Sequence, residues 1–110
     1  MFLEDGPIDW IERPAYLKNA RDPYGIWVVG ESMMPRYRPS QIIHINPHKP
    51  AAPGAGVVVY KKSKAVLLKE YVRQVPEGTV LREYQPEPRD FLVPSAEIDT
   101  IHTVAGLQEP

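Results

Sequence analysis

A chain of 110 residues and 12.5 kDa holds one hydrophobic core and not two. Its 43% hydrophobic and 25% charged residues are ordinary for a globular protein, and a formal net charge of −1 provides no electrostatic footprint for gripping nucleic acid. The absence of cysteine excludes a thiol nucleophile, a disulfide framework and thiolate metal sites, and no run approaches the roughly 20 apolar residues that span a bilayer. A soluble, cytoplasmic protein without membrane partners is the expectation.

Thirteen prolines and seven glycines punctuate the chain so often that long helices are nearly excluded, and short strands joined by turns are predicted instead. Residues 1–24 read as an irregular arm laid over the domain, with Ile8, Trp10 and Ile11 as apolar anchors and Trp10 packed on the core. Pro14 favours one or two helical turns over Ala15–Ala20, and Asp22-Pro23-Tyr24-Gly25 is a turn by composition. Residues 25–106 then form a β core. Its first strand, Gly25–Val29, breaks at Gly30 and is followed almost at once by Ser32. Glycine permits a tight bend, and a serine on such a bend can lift its hydroxyl toward a substrate carbonyl. Pro35 and Pro39 stop a helix from growing on the far side.

The second strand, Gln41–Asn46, places Ile43 and Ile45 on one face and Ile42, His44 and Asn46 on the other. A proline-rich loop, residues 47–54, leads to Gly56–Tyr60, whose unbroken apolar run predicts burial on both faces. Lys61-Lys62-Ser63-Lys64 reads as a solvated hairpin tip. In the fourth strand, Ala65–Val72, alternation groups Leu67, Lys69 and Tyr71 against Val66, Leu68 and Glu70. Lys69 is thus embedded among apolar neighbours. Desolvation there disfavours an ammonium, as a lysine acting as general base requires, and a serine hydroxyl needs such a base to become a nucleophile. Of the other lysines, Lys18 precedes the serine, Lys49 lies in a proline-rich loop and Lys61, Lys62 and Lys64 crowd the hairpin tip. Further strands are predicted at Thr79–Tyr84, Phe91–Val93 and Ile98–Val104, with a proline-rich loop, residues 85–90, between the first two.

Gly30-Glu31-Ser32-Met33-Met34-Pro35, followed by Tyr37-Arg38-Pro39 and the apolar strand Gln41–Ile45, resembles the serine segment of the LexA-like peptidases. That superfamily includes LexA, CI-type phage repressors, UmuD-like proteins and, more distantly, signal peptidases. Leu68-Lys69-Glu70 is similar to the strand that carries the family's base lysine, and Leu81–Pro86 and Ile101–Gly106 are similar to its later strands. The resemblance covers about three-quarters of the chain, residues 25–106. It implies a mostly β, antiparallel domain of the LexA/signal-peptidase-like, β-clip type with short or no helices, and a Ser32–Lys69 dyad. It also implies oxyanion donors at the backbone N–H groups of Glu31 and Ser32. Met33 and Met34 are expected to line the cleft, with at least one of them packing into the core.

No cofactor or metal is implied. The function implied is self-cleavage and dimerisation of a transcriptional repressor, in response to DNA damage and stimulated by a RecA filament on single-stranded DNA. DNA would be bound only through an N-terminal domain that these residues do not contain. The family's scissile bond, commonly Ala-Gly, lies upstream of the serine, yet residues 1–31 contain no Ala-Gly, and Ala55-Gly56 follows the serine. The chain is therefore expected to lack its own substrate. Two other roles share the resemblance: a non-cleaving dimerisation module of a helix-turn-helix transcription factor, and a UmuD-like accessory subunit of a lesion-bypass polymerase. A Ser-His-Asp arrangement would have to recruit His44, His48 or His102 with Asp90 or Asp99; lysine is preferred because His44 falls on a strand and His48 in a loop, with no feature marking either as a base.

Overall fold

The computed structural model describes residues 2–3, 6–7 and 23–108. Among them the chain forms nine strands: β1 (Phe2–Leu3), β2 (Gly6–Pro7), β3 (Tyr24–Trp27), β4 (Ile42–Asn46), β5 (Gly56–Lys61), β6 (Ala65–Val75), β7 (Gly78–Glu83), β8 (Arg89–Pro94) and β9 (Ile98–Gln108). The helical content of the described residues is one 3-10 turn, Ser95–Glu97, between β8 and β9. The strands run in the order β2-β1-β6-β5-β9-β4-β3, with β7 added to β6 and β8 to β7. All pairings are antiparallel except that of β1 with β6. This is the mostly antiparallel β architecture expected from a LexA/signal-peptidase-like chain.

The period of two along the strands divides the core into two layers. On β5, Val58 and Tyr60 join Ile26, Ile43, Ile45, Val66 and Leu68 on one face of the sheet. Val57 and Val59 join Leu67, Leu81 and Val93 on the other. β5 is covered on both sides, which is why its sequence reads as an apolar run rather than an alternation. The eleven-residue β6 serves three partners, the short β1 among them at Ala65 and Val66. Its first half pairs with β5, and its second half turns back through Pro76–Glu77 into the β6–β7 hairpin.

Several expectations for the ends of elements change. Tyr24 and Gly25 belong to β3 and not to a turn, because Tyr24 is buried opposite Ile45 and its side chain completes a core cluster. The arm contributes two short strands, β1 and β2, to the sheet; the helical turn over Ala15–Ala20 and the packing of Trp10 lie outside the described residues. Lys61 is not part of a solvated tip: it closes β5 and pairs with Glu97 at 3.1 Å, while Lys62, Ser63 and Lys64 are exposed. No helix among the described residues is long and apolar enough to cross a membrane.

Candidate active site

The serine turn is built from the backbone outward. β3 ends at Trp27, and Val28 stays attached to the start of β4 through its N–H to the Gln41 carbonyl (2.8 Å). Gly30 then takes φ 88°, in the left-handed region that an L side chain enters at a cost of about 1–2 kcal/mol. Past the bend, Met34 N–H donates to the Glu31 carbonyl (3.0 Å) and Tyr37 N–H to the Met33 carbonyl (3.0 Å), closing one compact turn around Ser32. Met33 and Tyr37 point down from it into the core and anchor it.

A second segment holds this turn in place. The Ser32 carbonyl accepts hydrogen bonds from the backbone N–H groups of Tyr84 (2.8 Å) and Gln85 (3.0 Å), and Gln85 Nε2 donates to the Met34 carbonyl (3.0 Å). The residues leaving β7 therefore fix the serine turn against the β6–β7 hairpin. Beneath them lies a polar knot. Tyr84 donates its hydroxyl to Glu70, and Arg36 reaches Tyr84 Oη at 3.1 Å and Glu70 at 3.5 Å. Burial, followed by the hydrogen bond to Glu70, pushes the Tyr84 hydroxyl above its ordinary value. For Arg36 burial acts downward, but the hydrogen bond to Tyr84 and the surrounding negative charge outweigh it and hold the guanidinium above its usual range.

Lys69 approaches from below on β6. Its neighbours on the same face are Leu67 and Tyr71, and its side chain is 3% exposed. Its Nζ lies 2.7 Å from Ser32 Oγ. The two residues are 37 positions apart in sequence, yet the β3–β4 turn and β6 bring a buried amine and a half-buried hydroxyl into hydrogen-bond contact. Lys69 Nζ also lies 3.3 Å from Glu83 Oε1, whose second oxygen accepts from Arg89 Nη2 at 2.9 Å and Nε at 3.1 Å. A hydroxyl adjacent to a desolvated amine is the arrangement that lets an amine act as proton acceptor and the oxygen as nucleophile.

Openings flank the pair on either side. One, of about 540 Å³, is lined by Glu31, Ser32, Met34, Gln85 and Pro86. The other, of about 430 Å³, lies on the lysine side and is floored by Leu67, Phe91 and Val93, with Leu92 and Pro94 in its wall. Charged pairs Lys61–Glu97 and Glu83–Arg89 rim it.

Of the residues singled out in the sequence, Ser32 and Lys69 are brought together, and Glu31 and Met34 line the opening beside Ser32. Met33 does not line the cleft: it is 2% exposed and belongs to the core, because consecutive residues on the turn point in opposite directions. His102 is buried with Tyr24 and Tyr60, its Nδ1 2.7 Å from Tyr24 Oη, while His44 and His48 are exposed. Ala55-Gly56 leads into β5, and a second such dipeptide, Ala105-Gly106, lies in β9, so both follow Ser32 in the chain. Sequence reasoning missed Glu83 and Gln85. The signal for Glu83 was the charge symmetry of the hairpin, Lys69-Glu70 against Arg82-Glu83, which the pairing Glu70↔Arg82 turns into two opposed ion pairs.

The family model described as Peptidase S24-like matches residues 4–104. Among curated proteins, repressor protein C of Rhizobium phage 16-3 is 30% identical over 87 residues, an alignment covering 72% of this chain and 33% of the phage protein. The chain thus spans about a third of the length of the curated relative it matches. No solved structure matches.

Proposed function

Since the chain belongs to the Peptidase S24-like family, with a domain of the LexA/CI type, we propose that it is the self-cleaving serine–lysine peptidase and dimerisation domain of a transcriptional repressor. The observation that carries this reading is the 2.7 Å contact between Lys69 Nζ and Ser32 Oγ, made by a lysine that is 3% exposed. The phage relative's name, a repressor protein, supports the regulatory part of the reading.

In the proposed reaction the neutral amine of Lys69 accepts the Ser32 hydroxyl proton as Oγ attacks the scissile carbonyl carbon. The backbone N–H groups of Glu31 and Ser32 receive the developing oxyanion. The Lys69 ammonium returns its proton to the departing amide nitrogen as the C–N bond breaks, and water then hydrolyses the ester on Ser32. The substrate is a segment of the same polypeptide upstream of residue 32. Cutting it separates an N-terminal DNA-binding domain from this one and relieves repression. DNA damage, signalled by a RecA filament on single-stranded DNA, is the proposed trigger, and the domain works as a homodimer.

The test is the intact mass of the parent protein that carries this domain, incubated from neutral to alkaline pH with and without the activated filament. A single cut upstream of residue 32 is expected, growing with pH because the neutral amine is the proton acceptor. It is expected to vanish in both Ser32→Ala and Lys69→Ala. No cut under any condition would leave a non-cleaving dimer domain as the better account.

A further inference from the structure

Glu83 is the group that links the dyad to the groove on its lysine side. It ends β7 directly across from Lys69: Glu70 pairs with Arg82 and Tyr71 with Leu81, and one further step in that register sets Lys69 against Glu83. Its side chain is 15% exposed, and its two oxygens are divided between Lys69 Nζ at 3.3 Å and the Arg89 guanidinium at 2.9 Å. Arg89 is itself braced over the Phe91 ring, 5.3 Å from the centroid. Of the other charges near the amine, Lys61 on β5 and Glu97 after β8 are paired with each other at 3.1 Å. Glu70, beside Lys69 on β6, faces the opposite side of the strand, where Arg36, Arg82 and Tyr84 hold it.

Taking Ser32 and Lys69 as a working dyad, we infer that Glu83 is its positioning residue, orienting the Lys69 amine toward Ser32 and stabilising the ammonium formed when that amine accepts the serine proton, with Arg89 holding Glu83 in place. A neutral primary amine carries two hydrogens and one lone pair on a freely rotating C–N bond. One N–H committed to Glu83 Oε1 restricts that rotation, and the lone pair can then face Oγ. When the proton arrives, positive charge develops beside a carboxylate that is already in place. Glu83 therefore acts on the rate in two ways, through the orientation of the amine and through the negative charge it sets 3.3 Å from Nζ. Arg89 moderates the second by neutralising part of the carboxylate charge, and its fork of donors fixes the carboxylate's orientation.

These contributions can be separated on this chain without its peptide substrate. Diisopropyl fluorophosphate reports on the dyad because Ser32 Oγ attacks phosphorus, the P–F bond breaks, fluoride departs and the hydroxyl proton goes to Lys69. The labelling rate would be followed by intact mass against pH, with Ser32→Ala as the blank and thermal unfolding run on each variant. In Glu83→Gln the alkaline plateau is expected to fall about tenfold or more, while the midpoint of the profile moves toward acid because a negative charge beside the amine is gone. In Arg89→Ala, an exposed position, the midpoint is expected to move toward alkali, with a smaller loss of plateau; this variant carries the test if Glu83→Gln unfolds. A labelled wild type with a midpoint that neither variant moves would overturn the role of Glu83 and leave the dyad standing. A plateau undiminished in Glu83→Gln would do the same. A wild type unlabelled at every pH would overturn the dyad itself, and this inference with it.

Discussion

Gly56 shows how one position ties the serine turn to the rest of the molecule. A Cβ built there would lie 2.0 Å from Tyr37 Oη and 2.8 Å from Cζ of the same ring. Tyr37 is 4% exposed and cannot swing out without leaving a hole in the core beneath Ser32. Gly56→Ala is therefore expected to cost about 1–3 kcal/mol, the usual penalty for overpacking. A lowered denaturation midpoint with an unchanged denaturant slope would be the matching observation. Because Tyr37 anchors the turn, Ser32 labelling should fall in the same variant even under conditions where it remains folded. Full labelling in a destabilised but folded protein would separate the anchor from the nucleophile. The contrast between Met33 and Met34 has the same local origin: neighbouring residues on one tight turn meet the core and the cleft respectively.

At the level of strands and hairpins, the β6–β7–β8 meander carries most of what surrounds the dyad: Lys69 from its first strand, Glu83 and the Tyr84–Gln85 clamp from the second, and Arg89 from the third. Its geometry depends on a register shift in β6 between Tyr71 and Arg73. Counted back from the Val75↔Gly78 pair without that shift, Glu70 would face Glu83, a like-charge pair that is unfavourable. With Val72 as the additional residue, Glu70 meets Arg82, and Lys69 falls opposite Glu83. The meander is also tightly closed at its far end. A Cβ at Gly78 would sit 2.1 Å from the Val93 carbonyl oxygen and 2.9 Å from Pro94 Cα. The backbone cannot yield there without parting β7 from β8, so Gly78→Ala is expected to destabilise by about 1–3 kcal/mol. Hydrogen exchange should report the loss as faster exchange at Thr79–Leu81 while β4 and β9 keep their protection. Uniform loosening of the whole sheet would argue against a local cause.

For the molecule as a whole, the tyrosines set a pH limit on stability. Burial pushes the Tyr37 hydroxyl above its ordinary value, and burial with the Glu70 hydrogen bond does so for Tyr84. A group whose value is raised on folding contributes stability that is fully present below its unfolded value, about 10 for tyrosine, and is lost as pH rises through the folded value. Stability is thus expected to fall across the strongly alkaline range, measured as the urea midpoint against pH. Tyr84→Phe should flatten that slope, and a slope identical to wild type would show that Tyr84 does not contribute. Labelling and cleavage profiles that extend into this range need unfolding measured beside them.

Much of this domain was readable from consecutive residues. The apolar run of β5 marked a strand covered on both faces, the alternation in β4 named its buried isoleucines, and Gly30 marked the bend before Ser32. Lys69 stood out because a lysine within Ala-Val-Leu-Leu is placed by its own strand among apolar side chains. These are local properties: backbone conformation, strand periodicity and turn chemistry depend on residues within a few positions of one another. The tertiary structure decided how the pieces meet. The bulge at Val72 set Glu83, and not Tyr84, opposite Lys69, and the hydrogen bonds from Tyr84 and Gln85 joined β7 to a turn some fifty residues earlier. The burial of His102 between Tyr24 and Tyr60 took it into the core. Such contacts are set by packing between strands distant in the chain, where a shift of one residue exchanges every partner and every face.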